Sequence, residues 1–263
     1  HTGNAPDEIT GSISPSIHLT STYAQDGIGK NKGYDYSRGG NPTRSRLEAN
    51  IAALEGGNDA IAFASGMAAT TALFQRLKKG DHVIISRNVY GGTYRMVTRV
   101  LSNHGLDFDF VDTTDLENIK RKINDKTRWV FIETPTNPML EITDIQAVAK
   151  LCREFSIKLA VDNTFMSTYG QRPLENGADC VMHSTTKFIC GHSDVLGGIL
   201  VVKDESLAES LHFIQKSGGA IPSPFDSWIL LRSVKTMSMR VQRSSENAMA
   251  LAKFFDCHSS ITK

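Results

Sequence analysis

The strongest constraint on the fold is an alternation. Short apolar runs at 60–63, 82–86, 108–111, 129–132, 158–161, 180–182 and 198–202 are separated by stretches with helical spacing at 67–77, 93–103, 116–123 and 144–155. In the last of these, Ile145, Val148, Ala149 and Cys152 recur on one face, the signature of an amphipathic helix. Strands that are apolar on both sides and linked by helices predict an α/β fold, a mostly parallel sheet with helices on both faces. Ahead of it, residues up to about 32 are rich in Thr, Ser, Gly and Pro with little periodicity, and read as an extended arm. Asn41 or Thr43 caps a first helix whose apolar face is Leu47, Ile51 and Leu54, and Gly56-Gly57 ends it. After Pro222-Ser223-Pro224 one long helical pattern runs from about 225 to 255.

Such a sheet needs a substantial core, and 263 residues with 40% hydrophobic and 22% charged content supply it. The formal net charge of +1 gives no electrostatic case for nucleic acid or an anionic membrane as a partner. No run approaches the ~20 apolar residues of a membrane span, and no signal peptide is expected from the opening residues. Cys152, Cys180, Cys190 and Cys257 form no C-x-x-C pair, so free thiols in a reducing, cytoplasmic setting are expected. His183, Cys190 and His192 lack a recognised zinc spacing, and no metal site is expected.

Ligands of open α/β sheets bind outside the carboxyl ends of the strands, which selects the loops to inspect. Ser65-Gly66-Met67 opens a helix whose N-terminal N–H groups make either an ordinary cap or a phosphate site. Gly-x-Gly-x-x-Gly, Walker and Gly-x-Ser-x-Gly patterns are absent. Tyr90, followed by Gly91-Gly92, either stacks on a planar ligand or points its hydroxyl into water. Between two prolines, Asn137 presents an amide or simply completes a rigid turn. Asp162 closes an apolar strand and needs a partner: a metal, an arginine, a protonated ring nitrogen or Lys187. Lys187 follows Ser184 and Thr186 on a strand-end loop, where partial desolvation favours a neutral, nucleophilic amine. A phosphate cradle, a stacking ring, an amide, a buried carboxylate and a lysine together suit one ligand, pyridoxal 5′-phosphate (PLP), whose aldehyde bonds lysine and whose ring nitrogen takes a carboxylate.

At this point the chain resembles the Cys/Met-metabolism enzymes of PLP-dependent fold type I, the cystathionine γ-synthases, γ- and β-lyases, methionine γ-lyases and O-acylhomoserine sulfhydrylases. The matching stretches are Tyr-Ser-Arg-Gly-Gly-Asn-Pro-Thr-Arg from Tyr36, Ala-Ser-Gly-Met-Ala-Ala from Ala64 and Val-Tyr-Gly-Gly-Thr from Val89. Glu-Thr-Pro-Thr-Asn-Pro from Glu133, Val-Asp-Asn-Thr-Phe from Val161, His-Ser-Thr-Thr-Lys from His183 and Gly-His-Ser-Asp-Val from Gly191 continue it in family order. The resemblance implies Lys187 as the cofactor-bonding lysine and proton shuttle, Asp162 on the ring nitrogen, and Tyr90 stacked on the ring. It implies Ser65, Gly66, Met67, Ser184 and Thr186 around the phosphate, Asn137 near the ring hydroxyl, and Thr164 in the same site. Tyr36 and Arg38 would reach the phosphate of a neighbouring subunit in a homodimer with shared active sites, itself assembled as a homotetramer.

The resemblance further implies an arm and inter-subunit loop over 1–45, a large PLP-binding domain over 46–240, and over 241–263 the start of the helix leading to a small C-terminal domain outside this sequence. That domain would carry the arginine for the substrate carboxylate. Methionine γ-lyases have a cysteine where this chain has Gly92. Ala-Phe-Ala-Ser-Gly-Met-Ala-Ala-Thr and Pro-Ser-Pro-Phe-Asp look most like the cystathionine γ-lyase and γ-synthase branch. The expected activity is α,γ-elimination of L-cystathionine; the alternatives are γ-synthase, β-lyase or sulfhydrylase action on a sulfur amino acid or homoserine ester, and, from another class, a non-catalytic PLP-binding protein.

Overall fold

The computed structural model describes residues 1–261; residues 262 and 263, at the end of the 241–263 segment, lie outside the described residues. In chain order the elements are α1 (Pro42–Glu55), β1 (Asp59–Phe63), α2 (Gly66–Phe74), β2 (His82–Ser86), α3 (Gly91–Arg99), β3 (Asp107–Val111), α4 (Leu116–Lys122), β4 (Thr127–Glu133), α5 (Ile145–Glu154), β5 (Lys158–Asp162), α6 (Ser167–Gly170), β6 (Cys180–His183), β7 (Gly198–Val202), α7 (Glu205–Gly218), α8 (Pro224–Ser233) and α9 (Met237–Asp256). The strands form a seven-stranded sheet in the order β1-β7-β6-β5-β4-β2-β3. Pairings from β6 through β5, β4 and β2 to β3 are parallel. Only β7 runs the other way, antiparallel to both β1 and β6, so the expectation of a mostly parallel sheet holds.

Side-chain alternation divides the apolar runs between two buried faces. Ile61, Phe63, Val83, Ile85, Phe131, Met182 and Leu200 pack on one face with Leu73, Phe74 and Val97 of α2 and α3 and Leu211 of α7. Ile84, Val130, Ile132, Leu159 and Val161 face the opposite way onto α4 and α5. Val181, Ile199 and Val201 continue that second face onto α1, α8 and α9. With core side chains such as Phe131 and Leu73 fully buried, the sheet is a rigid platform for its carboxyl edge.

Caps explain where the helices begin. Asn41, rather than Thr43, caps α1: its side-chain oxygen accepts from the Thr43 and Arg44 N–H groups at 3.0 and 3.3 Å, and Pro42 occupies the first turn. Gly56 ends the helix with φ +74°. The arm ahead of α1 has no helix or strand among the described residues beyond a bridge between Thr22 and Tyr36. It is pinned to the body by bonds such as His18 N–H to the Thr43 hydroxyl (2.9 Å) and Trp228 Nε1–H to the Pro15 carbonyl (2.9 Å).

The long helix expected over 225–255 is not continuous. It breaks at a tight turn, Val234–Thr236. There the Met237 N–H bonds to Val234, and the Ser233 carbonyl is taken by the Thr236 hydroxyl and the Arg240 guanidinium. Side chains thus replace the backbone ladder at that position, and α9 begins at Met237.

Candidate active site

At the carboxyl edge of the sheet, loops after β1, β2, β4, β5 and β6 enclose a cavity of about 410 Å³. Its wall contains every same-chain candidate from the sequence: Ser65, Gly66 and Met67; Tyr90; Asn137; Asp162 and Thr164; Ser184, Thr186 and Lys187. Register explains part of this convergence. Asp162 at the end of β5 is paired with Glu133 on one side and Met182 on the other, so their loops leave the sheet side by side.

Close approach of two of those loops depends on glycine. The Ser65 side chain caps α2, accepting from the Ala68 N–H at 3.1 Å. A Cβ on Gly66 would lie 2.7 Å from the Ser184 Cβ, and one on Gly198 would lie 2.2 Å from the Ser65 carbonyl oxygen. Glycine therefore lets the N-terminus of α2 lie against the Ser184 turn, so helix N–H groups and a hydroxyl face the same space. Gly92 does the same for the aromatic wall, since a Cβ there would sit 2.5 Å from the Tyr90 ring and 2.9 Å from the Met67 sulfur. Any side chain at 92 would require the Tyr90 ring and the Met67 sulfur to give way. The Thr186 hydroxyl is engaged at both ends with the Gly197 backbone, at 3.3 and 3.1 Å, and so shapes the turn.

Two carboxylates dominate the electrostatics. Asp162 is 5% exposed; burial raises its pKa, opposed by the Thr164 hydroxyl and N–H and by His183. Thr164 donates its N–H to Asp162 at 3.0 Å, and its hydroxyl accepts the Ser184 N–H at 2.8 Å, joining the carboxylate to the lysine turn. Glu133, which the sequence reading passed over, accepts the Tyr90 N–H at 2.8 Å and the Asn137 N–H at 3.0 Å. Burial, and then the charge of Asp162, push its carboxyl up to about 7. The signal was present: like Asp162, Glu133 closes an apolar strand. A second buried feature escaped sequence reading altogether: His183 and Glu55, 128 positions apart, meet at 3.0 Å with both side chains fully buried.

One expectation fails. Lys187 is exposed rather than partly desolvated, because its turn projects beyond the sheet edge to the mouth shared by the cavity and a wider groove of about 1010 Å³. Nor does an ion pair join it to Asp162 among the described residues, since Asp162 is held by Thr164 instead. Tyr36 and Arg38 do not line the cavity of their own chain. The Arg38 guanidinium lies 5.3 Å from the Tyr36 ring centroid and donates to the Lys216 carbonyl. Among the described residues no cluster could hold a metal ion.

The profile of the family described as Cys/Met metabolism PLP-dependent enzyme matches residues 1–263. The chain belongs to this family. Among curated relatives, a probable cystathionine gamma-synthase of Herpetosiphon aurantiacus is 49% identical over 263 residues, covering 100% of this chain and 82% of the relative. A cystathionine gamma-lyase of Bacillus subtilis is 46% identical over 261 residues, covering 99% of this chain and 69% of the relative. Among solved structures, metB from Corynebacterium glutamicum superposes with a TM-score of 0.98 at 47% identity, over 100% of this chain and 69% of that one. Cystathionine gamma-lyase from Lactobacillus plantarum complexed with L-serine gives 0.98 at 44% identity with the same coverage.

The cofactor of the family is PLP, and the chain is a PLP-dependent enzyme. Its cavity fits that group. A nine-residue helix, α2, presents its N-terminus beside the Ser184 hydroxyl, which suits a phosphate. A buried carboxylate, Asp162, suits a protonated ring nitrogen, and Tyr90 and Lys187 offer a ring face and an amine in the same wall.

Proposed function

We propose that this chain carries the C–S bond chemistry of transsulfuration, and that its reaction is α,γ-elimination of L-cystathionine, with water, to cysteine, 2-oxobutanoate and ammonia. What carries the reading is the convergence of Lys187, Asp162, Tyr90 and the Gly66–Ser184 cradle in one cavity. When bound, PLP attaches the amino acid covalently and takes up negative charge developing at its α carbon. Lys187, exposed at the mouth, takes the proton from the substrate α carbon and returns one to the departing side. Asp162 holds the proton on the ring nitrogen, and its burial strengthens that contact. Tyr90 covers the ring, with its backbone fixed by Glu133. Tyr36 and Arg38 serve the phosphate of a neighbouring subunit in a homodimer, itself assembled as a homotetramer. A cytoplasmic setting fits unpaired thiols at Cys152, Cys180 and Cys190, all buried.

γ-Replacement on an activated homoserine is the second reading. It is favoured by the 49% identity to a probable gamma-synthase, which slightly exceeds the 46% to a gamma-lyase. The first test is an absorbance scan of the full-length protein before and after borohydride, followed by peptide mapping. A yellow band bleached by borohydride, with pyridoxyl fixed on Lys187, is expected, and a protein that stays colourless with added PLP sinks the proposal. Product analysis then separates the readings: 2-oxobutanoate from cystathionine supports elimination, whereas cystathionine formed from O-acylhomoserine plus cysteine supports replacement.

A further inference from the structure

We propose that Arg240, on α9 and outside the cavity wall, is a positioning residue that clamps the turn carrying Lys187. The inference rests on Lys187 being the catalytic lysine. The turn from Ser184 to Gly191 closes on itself through Lys187 N–H to Ser184 (3.2 Å), Cys190 N–H to Thr185 (2.8 Å) and Gly191 N–H to Lys187 (2.7 Å). The carbonyls immediately after the lysine, on Phe188 and Ile189, receive the Arg240 guanidinium at 2.8 and 3.4 Å. The same group is anchored on its own side by the Ser233 carbonyl at 3.0 Å and the Thr236 hydroxyl at 3.1 Å. A planar fork with several fixed donors can join two segments in this way, and a lysine ammonium cannot reproduce it.

Two further features point to the same role. A Cβ on Gly191 would fall 1.7 Å from the Arg240 Nη1 atom, so the guanidinium occupies space that only glycine leaves. The break between α8 and α9 involves the Ser233 carbonyl that Arg240 holds. Lys187 itself is exposed, so packing does little to fix its amine. Its position depends on the backbone beneath it, and Arg240 ties that backbone to α9.

The test uses the full-length holoenzyme and the PLP-stripped protein, with Arg240→Met, Arg240→Lys and Gly191→Ala. In stripped Arg240→Met, amide hydrogen exchange should accelerate about tenfold or more across 184–191 while the β4 and β5 amides keep their protection. In the holoenzyme, kcat should fall about 10- to 100-fold, the scale of a small misplacement at the reacting group, with KM changed less than about threefold. Added guanidinium ion should restore part of the loss in Arg240→Met, and Arg240→Lys should recover little. If Arg240→Met does not fold, Gly191→Ala evicts the guanidinium from the opposite side and should show the same local exchange. Unchanged exchange at 184–191, or a lower melting temperature with kcat intact, overturns the inference. Wild-type protein in which borohydride marks no lysine overturns the assignment of Lys187 instead, and the exchange result still reports on the clamp.

Discussion

Replacing Glu133 by Gln isolates the effect of placing two carboxylates side by side at the sheet edge. Glu133 and Asp162 are register neighbours, 6% and 5% exposed. The Glu133 carboxyl is raised from 4.5 to about 7 by burial and by the Asp162 charge. Between those values the folded protein binds a proton at Glu133 that the unfolded chain has released. Its stability contribution is therefore fully present below pH 4.5 and is lost as pH rises through about 7. At about 1.4 kcal/mol per pH unit, the difference approaches about 3 kcal/mol by pH 8. Glutamine matches protonated glutamate in size and does not titrate, but its one carbonyl oxygen can accept from only one of the Tyr90 and Asn137 N–H groups, which reach different carboxylate oxygens. The lost acceptor should make PLP-stripped Glu133→Gln melt below the wild type near pH 5. Between pH 5 and pH 8 the variant's melting temperature should rise relative to the wild type by about 5 °C or more, at about 2–4 °C per kcal/mol for chains of this order of size. Parallel melting curves from pH 5 to 8 would refute the account of this pair.

Gly66→Ala forces a methyl to within 2.7 Å of Ser184. It should cost about 1–3 kcal/mol by overpacking, and titration should show PLP affinity reduced by about tenfold or more because the cradle is pushed apart. Asp162→Asn removes the carboxylate proposed to meet the ring nitrogen without changing shape, and kcat should fall by about 100-fold or more with the Lys187 pyridoxyl adduct still formed under borohydride. Arg38→Ala and Lys187→Ala, each nearly inactive alone, should regain about a quarter of wild-type activity when subunits are mixed and exchanged, because only heterodimers rebuild a whole site. No recovery despite verified exchange would place Arg38 outside the partner's site.

Much of the site was legible because its residues sit at strand ends. Short apolar runs placed the strands, and the rule that ligands bind at their carboxyl ends turned each following loop into a candidate. Ser65, Tyr90, Asn137, Asp162 and Lys187 could therefore be grouped without coordinates. Glu133 could have joined them on the same logic, but Asn137 drew attention within its loop. Periodicity did not reveal the break between α8 and α9, because the apolar spacing continues through it while the Ser233 carbonyl is taken by side chains.

Local chemistry written in the sequence therefore pointed to the mostly parallel sheet, to a cap at Asn41 or Thr43, to the family and to the candidate reactive groups. The tertiary structure alone decided relations between distant segments. It set Glu133 beside Asp162 by strand register, paired His183 with Glu55 in the interior, fitted Arg240 into the space left by Gly191, and left Lys187 exposed rather than buried. Propensity and patterning act over a few residues, whereas register, burial and close approach arise only when segments far apart in the chain pack against each other.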